Sequence, residues 1–96
     1  MIALTLYSRP GCHLCDDMKA LVGRIVDELA HAPAHAGQRV DVQEVDISSD
    51  PELEARFGLE IPVLLVNGKK AAKYRVTDGE LRRRLADEWA RLEEAG

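Results

Sequence analysis

The segment Ile2–Tyr7 constrains this chain most: alternation puts Ile2, Leu4 and Leu6 on one face of an extended strand and Ala3, Thr5 and Tyr7 on the other, so both faces are largely apolar. It reads as a central strand of a sheet. The chain has 96 residues, enough for one hydrophobic core and too few for two, so one domain over residues 1–96 is expected.

Beyond this strand, turn residues and hydrophobic period mark the remaining elements. Ser8-Arg9-Pro10-Gly11 is a turn cluster, and after it Leu14, Met18, Leu21/Val22, Ile25 and Leu29 recur at helical spacing. A long helix therefore starts at the cysteines and ends in the loop Ala30–Gln38, which carries Pro33 and Gly37. Val40, Val42, Val45 and Ile47 do not keep one phase, so the second strand is expected to bulge or end early. Ser49-Asp50-Pro51-Glu52 offers an N-cap, a first-turn proline and a capping-box glutamate, and Gly58 ends the short helix after Phe57. Pro62–Val66 is an apolar strand closed by Asn67-Gly68, the dipeptide suited to a type I′ hairpin, so Lys70–Val76 returns antiparallel as a lysine-rich edge. On that strand Ala72, Tyr74 and Val76 are expected on one face and Ala71, Lys73 and Arg75 on the other. Thr77-Asp78-Gly79-Glu80 has capping-box spacing ahead of Leu81, Leu85, Trp89 and Leu92, a final helix. The expected architecture is α/β, in the order β-α-β-α-β-β-α.

Charge and length narrow the function. A net charge of −4 leaves no positive excess for a phosphate backbone, so nucleic acid is not an expected partner. No apolar run approaches the roughly 20 residues of a membrane span, and Met1 leads into a strand rather than a charged leader. The expectation is a cytoplasmic monomer without signal peptide or membrane contact. Both cysteines fall in one Cys-x-x-Cys, which suits a reducing compartment and not a framework of structural bridges.

Disulfide exchange needs a thiolate, an accessible sulfur and a second thiol to displace the first mixed disulfide. Cys12 lies at the first turn of the expected helix, where unpaired N–H groups and the positive dipole end favour an anionic sulfur. Cys15 lies one turn on and is the resolving thiol. His13 is assigned no required role. Two other readings compete. A zinc site needs four ligands, and only His13, His31 and His35 remain to complete it, with Pro33 breaking the helix that would align the last two. Inert core cysteines would not need an adjacent turn and helix start.

Tyr7-Ser8-Arg9-Pro10-Gly11-Cys12-His13-Leu14-Cys15 resembles the glutaredoxin motif Tyr-Ser-Lys-x-x-Cys-Pro-Tyr-Cys, Glu60-Ile61-Pro62 resembles its Thr-Val-Pro, and Asn67-Gly68-Lys69 its hairpin. The resemblance extends over nearly the whole chain and is strongest to the bacterial glutaredoxin-like proteins. It implies a thioredoxin/glutaredoxin-like fold with sheet order 2-1-3-4, a cis bond before Pro62, and Ile61 and Pro62 beside Cys12 as substrate-binding residues. Position alone would favour a trans proline at a strand start. Arg9 stands where the family's basic residue binds a carboxylate, and is equally readable as a solvated turn arginine.

Two departures limit what carries over. His13-Leu14 replaces Pro-Tyr between the cysteines, so the redox potential does not transfer. Val76-Thr77-Asp78-Gly79 replaces the Gly-Gly that holds glutathione, and Glu60 adds negative charge. No cofactor and no metal is expected; glutathione enters only as a co-substrate whose site is incomplete. The functional expectation is a thiol-disulfide oxidoreductase whose partner is a disulfide-containing protein or a low-molecular-weight thiol. The alternatives are a non-catalytic binding module of the same fold and, behind it, an iron-sulfur carrier. Lys69, Lys70, Lys73, Arg75 and Arg82-Arg83-Arg84 form a basic stretch, either solvated surface or a dock for an acidic partner.

Overall fold

The computed structural model describes residues 2–31 and 40–95. Its elements are β1 (Ile2–Ser8), α1 (His13–Ala30), β2 (Val40–Asp46), a 3₁₀ turn (Ile47–Ser49), α2 (Pro51–Phe57), β3 (Val63–Val66), β4 (Lys69–Lys73) and α3 (Asp78–Ala95). The sheet order is β2-β1-β3-β4, with β1 parallel to β2 and antiparallel to β3. The expected α/β architecture and strand order are both present. Pro33, His35 and Gly37 lie outside the described residues.

Both faces of β1 are covered, as its composition requires. Ile2, Leu4 and Leu6 pack with Met18, Val22 and Ile25 of α1, Leu64 and Val66 of β3, and Leu81, Leu85 and Trp89 of α3. Tyr7 turns to the other side, where Ile47, Phe57 and Val63 form a smaller core under α2, and its ring stacks on Phe57 with centroids 4.4 Å apart. The chain is thus three layers with the sheet in the middle.

Local chemistry explains most boundaries. The hairpin turn has φ +49 at Asn67 and +83 at Gly68, the left-handed pair a type I′ turn demands. Thr77 and Glu80 form the reciprocal capping box: Thr77 N donates to Glu80 Oε1 and Glu80 N to Thr77 Oγ1, each at 3.1 Å. At α2 the cap is Asp50, whose Oδ1 accepts from Glu52 N at 2.9 Å and Leu53 N at 3.3 Å, so the box expected between Ser49 and Glu52 is not formed. Gly58 closes α2 in a right-handed conformation; a Cβ there would lie 2.5 Å from the Glu54 carbonyl oxygen, so close approach, and not positive φ, calls for glycine.

Two strands differ from expectation. The pairing of β2 with β1 runs in unbroken register from Ile2↔Val40 to Ser8↔Asp46. Ile47 falls out of phase because it is not on the strand: Asp46 Oδ1 caps a 3₁₀ turn at Ser48 N and carries Ile47 into the α2-side core. The bulge lies instead between Leu64 and Leu65, opposite β4. It lets both Ala71 and Ala72 pack on the main core, so the predicted alternation of β4 does not hold. That strand ends at Lys73 and not Val76, because Arg75 N bonds back to Lys73 O at 2.7 Å across Tyr74, which has φ +66.

Candidate active site

The end of β1 delivers the motif. Gly11 has φ +78, and this left-handed step turns the chain from strand to helix. Cys12 is not inside the first turn, as expected, but is the N-cap of α1, with extended φ −94 and ψ 111. Its carbonyl accepts from Asp16 N at 3.0 Å, and its Sγ accepts from Cys15 N at 3.2 Å. A sulfur thus does at this helix what a serine or aspartate oxygen does at others, taking one of the orphan backbone donors.

Cys12 is half-buried, whereas Cys15 is only 2% exposed. The two are joined as a disulfide with Cα atoms 5.2 Å apart. Helical spacing therefore places one sulfur at an entrance and its partner directly behind. Behind Cys15 lies a polar cleft of about 180 Å³ lined by Ser8, Arg9, Asp16, Lys19, Glu44 and Asp46 among others. A larger cleft of about 280 Å³ opens beside Leu14, between α1 and the Tyr74–Val76 segment.

Pro62 is buried and its bond to Ile61 is cis. The pairing Tyr7↔Val63 sets the end of β1 against the start of β3, so the Pro10–Cys12 turn and the Ile61–Pro62 step lie at the same end of the sheet. Ile61 N donates to Phe57 O at 3.1 Å, tying this loop to α2. Arg9 pairs with Glu54 of α2, a partner that spacing in sequence did not reveal. Glu60 faces Lys70 at 2.9 Å and Lys73 at 3.6 Å, and the Lys70 hydrogen bond holds its carboxyl below the ordinary range. The basic stretch is accordingly no bare positive field: Arg82 meets Asp78 and Glu28, and Arg84 meets Glu88 at 3.1 Å. His31 sits at the far end of α1, and among the described residues no three His, Cys, Asp or Glu side chains converge on a metal-sized site.

The model of the family described as Glutaredoxin-like domain (DUF836) matches residues 3–86. The chain belongs to the glutaredoxin-like family. Among relatives of this glutaredoxin-like chain is an uncharacterized protein of Mycobacterium tuberculosis, 29% identical over 84 residues that cover 84% of this chain and 79% of that one. A glutaredoxin-like protein of Dictyostelium discoideum is 27% identical over 82 residues, covering 83% of this chain and 71% of that one. An X-ray structure of a protein from X. campestris superposes with TM-score 0.66 at 30% identity, covering 88% of the glutaredoxin-like chain and 96% of its own. A solution structure from Nitrosomonas europaea, at 20% identity and TM-score 0.64 over 86% and 89% of the two chains, shares the fold.

Two groups here carried no signal in the sequence. Tyr74 read as an ordinary strand residue, because no propensity points to a tyrosine at positive φ. Glu54 became visible only once α2 packed beside the Arg9 turn.

Proposed function

We propose that this protein is a thiol-disulfide oxidoreductase acting on disulfides of proteins or small molecules, with Cys12 as nucleophile and Cys15 as resolving thiol. The observation that carries the reading is the hydrogen bond from Cys15 N to Cys12 Sγ at the mouth of α1. The donor and the helix dipole both favour the thiolate over the thiol, whose free pKa is about 8.5.

The reduced pair supplies two electrons. Cys12 thiolate attacks one sulfur of R–S–S–R′, forming the Cys12–S–S–R bond and releasing R′–S⁻, which takes a proton from water. Cys15 gives its proton to solvent and attacks Cys12 Sγ; the Cys12–Cys15 bond forms and R–S⁻ leaves. The product is the disulfide seen in this structure, and an external thiol reductant returns it to the dithiol.

Ile61 would pair with residues flanking the substrate cysteine through its carbonyl, its N–H being bonded to Phe57 O, and Pro62 would shape that contact. Arg9 would reach a substrate carboxylate only by exchanging Glu54 for it. Asp78 is already held by Arg82 and Arg24, and Glu80 by Thr77, which favours a polypeptide disulfide over a small anionic thiol at the start of α3. Cys12→Ser should abolish reduction of both insulin and small disulfides, with Cys15→Ser retaining the first step. Undiminished turnover by Cys12→Ser would refute the assignment.

A further inference from the structure

Tyr74 holds a conformation that a tyrosine adopts at a cost. Its φ of +66 and the Arg75 N to Lys73 O bond of 2.7 Å make it the centre of a γ-turn of the rare, strained hand. Glycine would enter this turn without strain, so the side chain must offset what the backbone loses.

Two hydrogen bonds show how. Tyr74 N donates to Pro62 O at 2.9 Å, and Tyr74 Oη donates to Leu59 O at 3.0 Å. One residue therefore grips both ends of the four-residue step Leu59-Glu60-Ile61-Pro62. Leu59 itself is 93% exposed, so packing does little to hold that end. Tyr74 also lines the larger cleft, with Leu14 of α1 among the other residues around it.

We propose that Tyr74 is a positioning residue: the strained turn aims its side chain so that N–H and hydroxyl together fix the Leu59–Pro62 loop in the form that receives an extended polypeptide disulfide. This role rests on the oxidoreductase reading of Cys12 and Cys15, and makes the substrate class a polypeptide bound through the Ile61 backbone. A small disulfide makes no such pairing and does not need the grip.

The test compares Tyr74→Phe, which deletes only the hydroxyl bond, with Tyr74→Gly, which deletes the ring and relieves the φ. Substrates are a disulfide-linked peptide and the small aromatic disulfide DTNB. Losing one neutral hydrogen bond is expected to raise KM for the peptide about fivefold in Tyr74→Phe, and further in Tyr74→Gly, with kcat and the DTNB rate kept. Amide exchange at Glu60 and Ile61 should quicken by about the same factor while that of β1 does not. Unchanged exchange, or equal loss on both substrates, overturns the proposal. If the wild-type protein reduces neither substrate, the oxidoreductase reading fails, and exchange alone decides the role of Tyr74. Thermal melting of both variants shows whether the fold is intact.

Discussion

Asn67 Nδ2 donates to Glu88 Oε2 at 3.0 Å, bonding the tip of the β3–β4 hairpin to a carboxylate of α3 that is only 5% exposed. The same amide's Oδ1 accepts from Ala3 N at 2.8 Å, and Asn67 N donates to Ala3 O at 2.8 Å. The turn residue thus joins three elements. Asn67→Gly keeps the left-handed φ and removes only the side-chain bonds; it should lower unfolding free energy by about 1–3 kcal/mol, because Glu88 loses a buried donor. Urea denaturation checks this.

Acid should act through the same carboxylate. The Asn67 bond, with Arg84 and Arg91 nearby, outweighs burial and holds Glu88 below its ordinary 4.5. The folded state then binds fewer protons than the unfolded one, so this contribution is full above about 4.5 and drains away as pH falls through the lower folded value. Glu28 and Asp78, held down first by Arg82, have the same sign. Glu88→Gln should flatten part of the acid limb of a stability-against-pH curve; an unchanged slope would show that Glu88 contributes nothing to it.

Asp16 competes with Cys12 for the positive end of α1, lying in its first turn and donating its backbone N–H to the Cys12 carbonyl. Removing that charge in Asp16→Asn should make the reduced Cys12 thiol more acidic by about half a pH unit, the scale of one charge several Å away through partly aqueous surroundings. Thiolate absorbance near 240 nm against pH reports it, and a rise in pKa would contradict the electrostatic picture.

Two glycines should respond oppositely to alanine. Gly23 lies exposed in the interior of α1 with nothing within 4 Å of a new Cβ, so Gly23→Ala should stabilise by about 0.5–1 kcal/mol. Gly58→Ala drives its methyl into the Glu54 carbonyl at 2.5 Å and should destabilise by more than about 1 kcal/mol. Melting temperatures of the two variants test the contrast.

Cys15→Ala should trap substrate on Cys12. Without the buried sulfur the mixed disulfide has no resolving partner, and intact-mass measurement should find one substrate adduct per chain. Absence of any adduct would point to another nucleophile.

Local chemistry was legible from residues alone. The Asn67-Gly68 turn, the Thr77–Glu80 box and the apolar faces of β1, α1 and α3 each depend on neighbours a few positions apart, so spacing suffices to find them. So was the Cys12–Cys15 pair at a helix start, though its N-cap geometry was one residue off. The cis bond at Pro62 came only from family resemblance.

What the amino-acid order determined was the sequence of elements, their buried faces and the placing of two sulfurs one turn apart. Tertiary structure alone decided that Ile47 leaves its strand for a capped turn, that a bulge puts Ala71 and Ala72 on one core, that Glu54 meets Arg9, and that Tyr74 reaches Leu59 and Pro62. Apart from the local Asp46 cap, which matters because Ile47 then packs on Phe57 and Val63, those contacts join residues well apart along the chain, and their energies exist only after the layers have closed, so no local period can encode them.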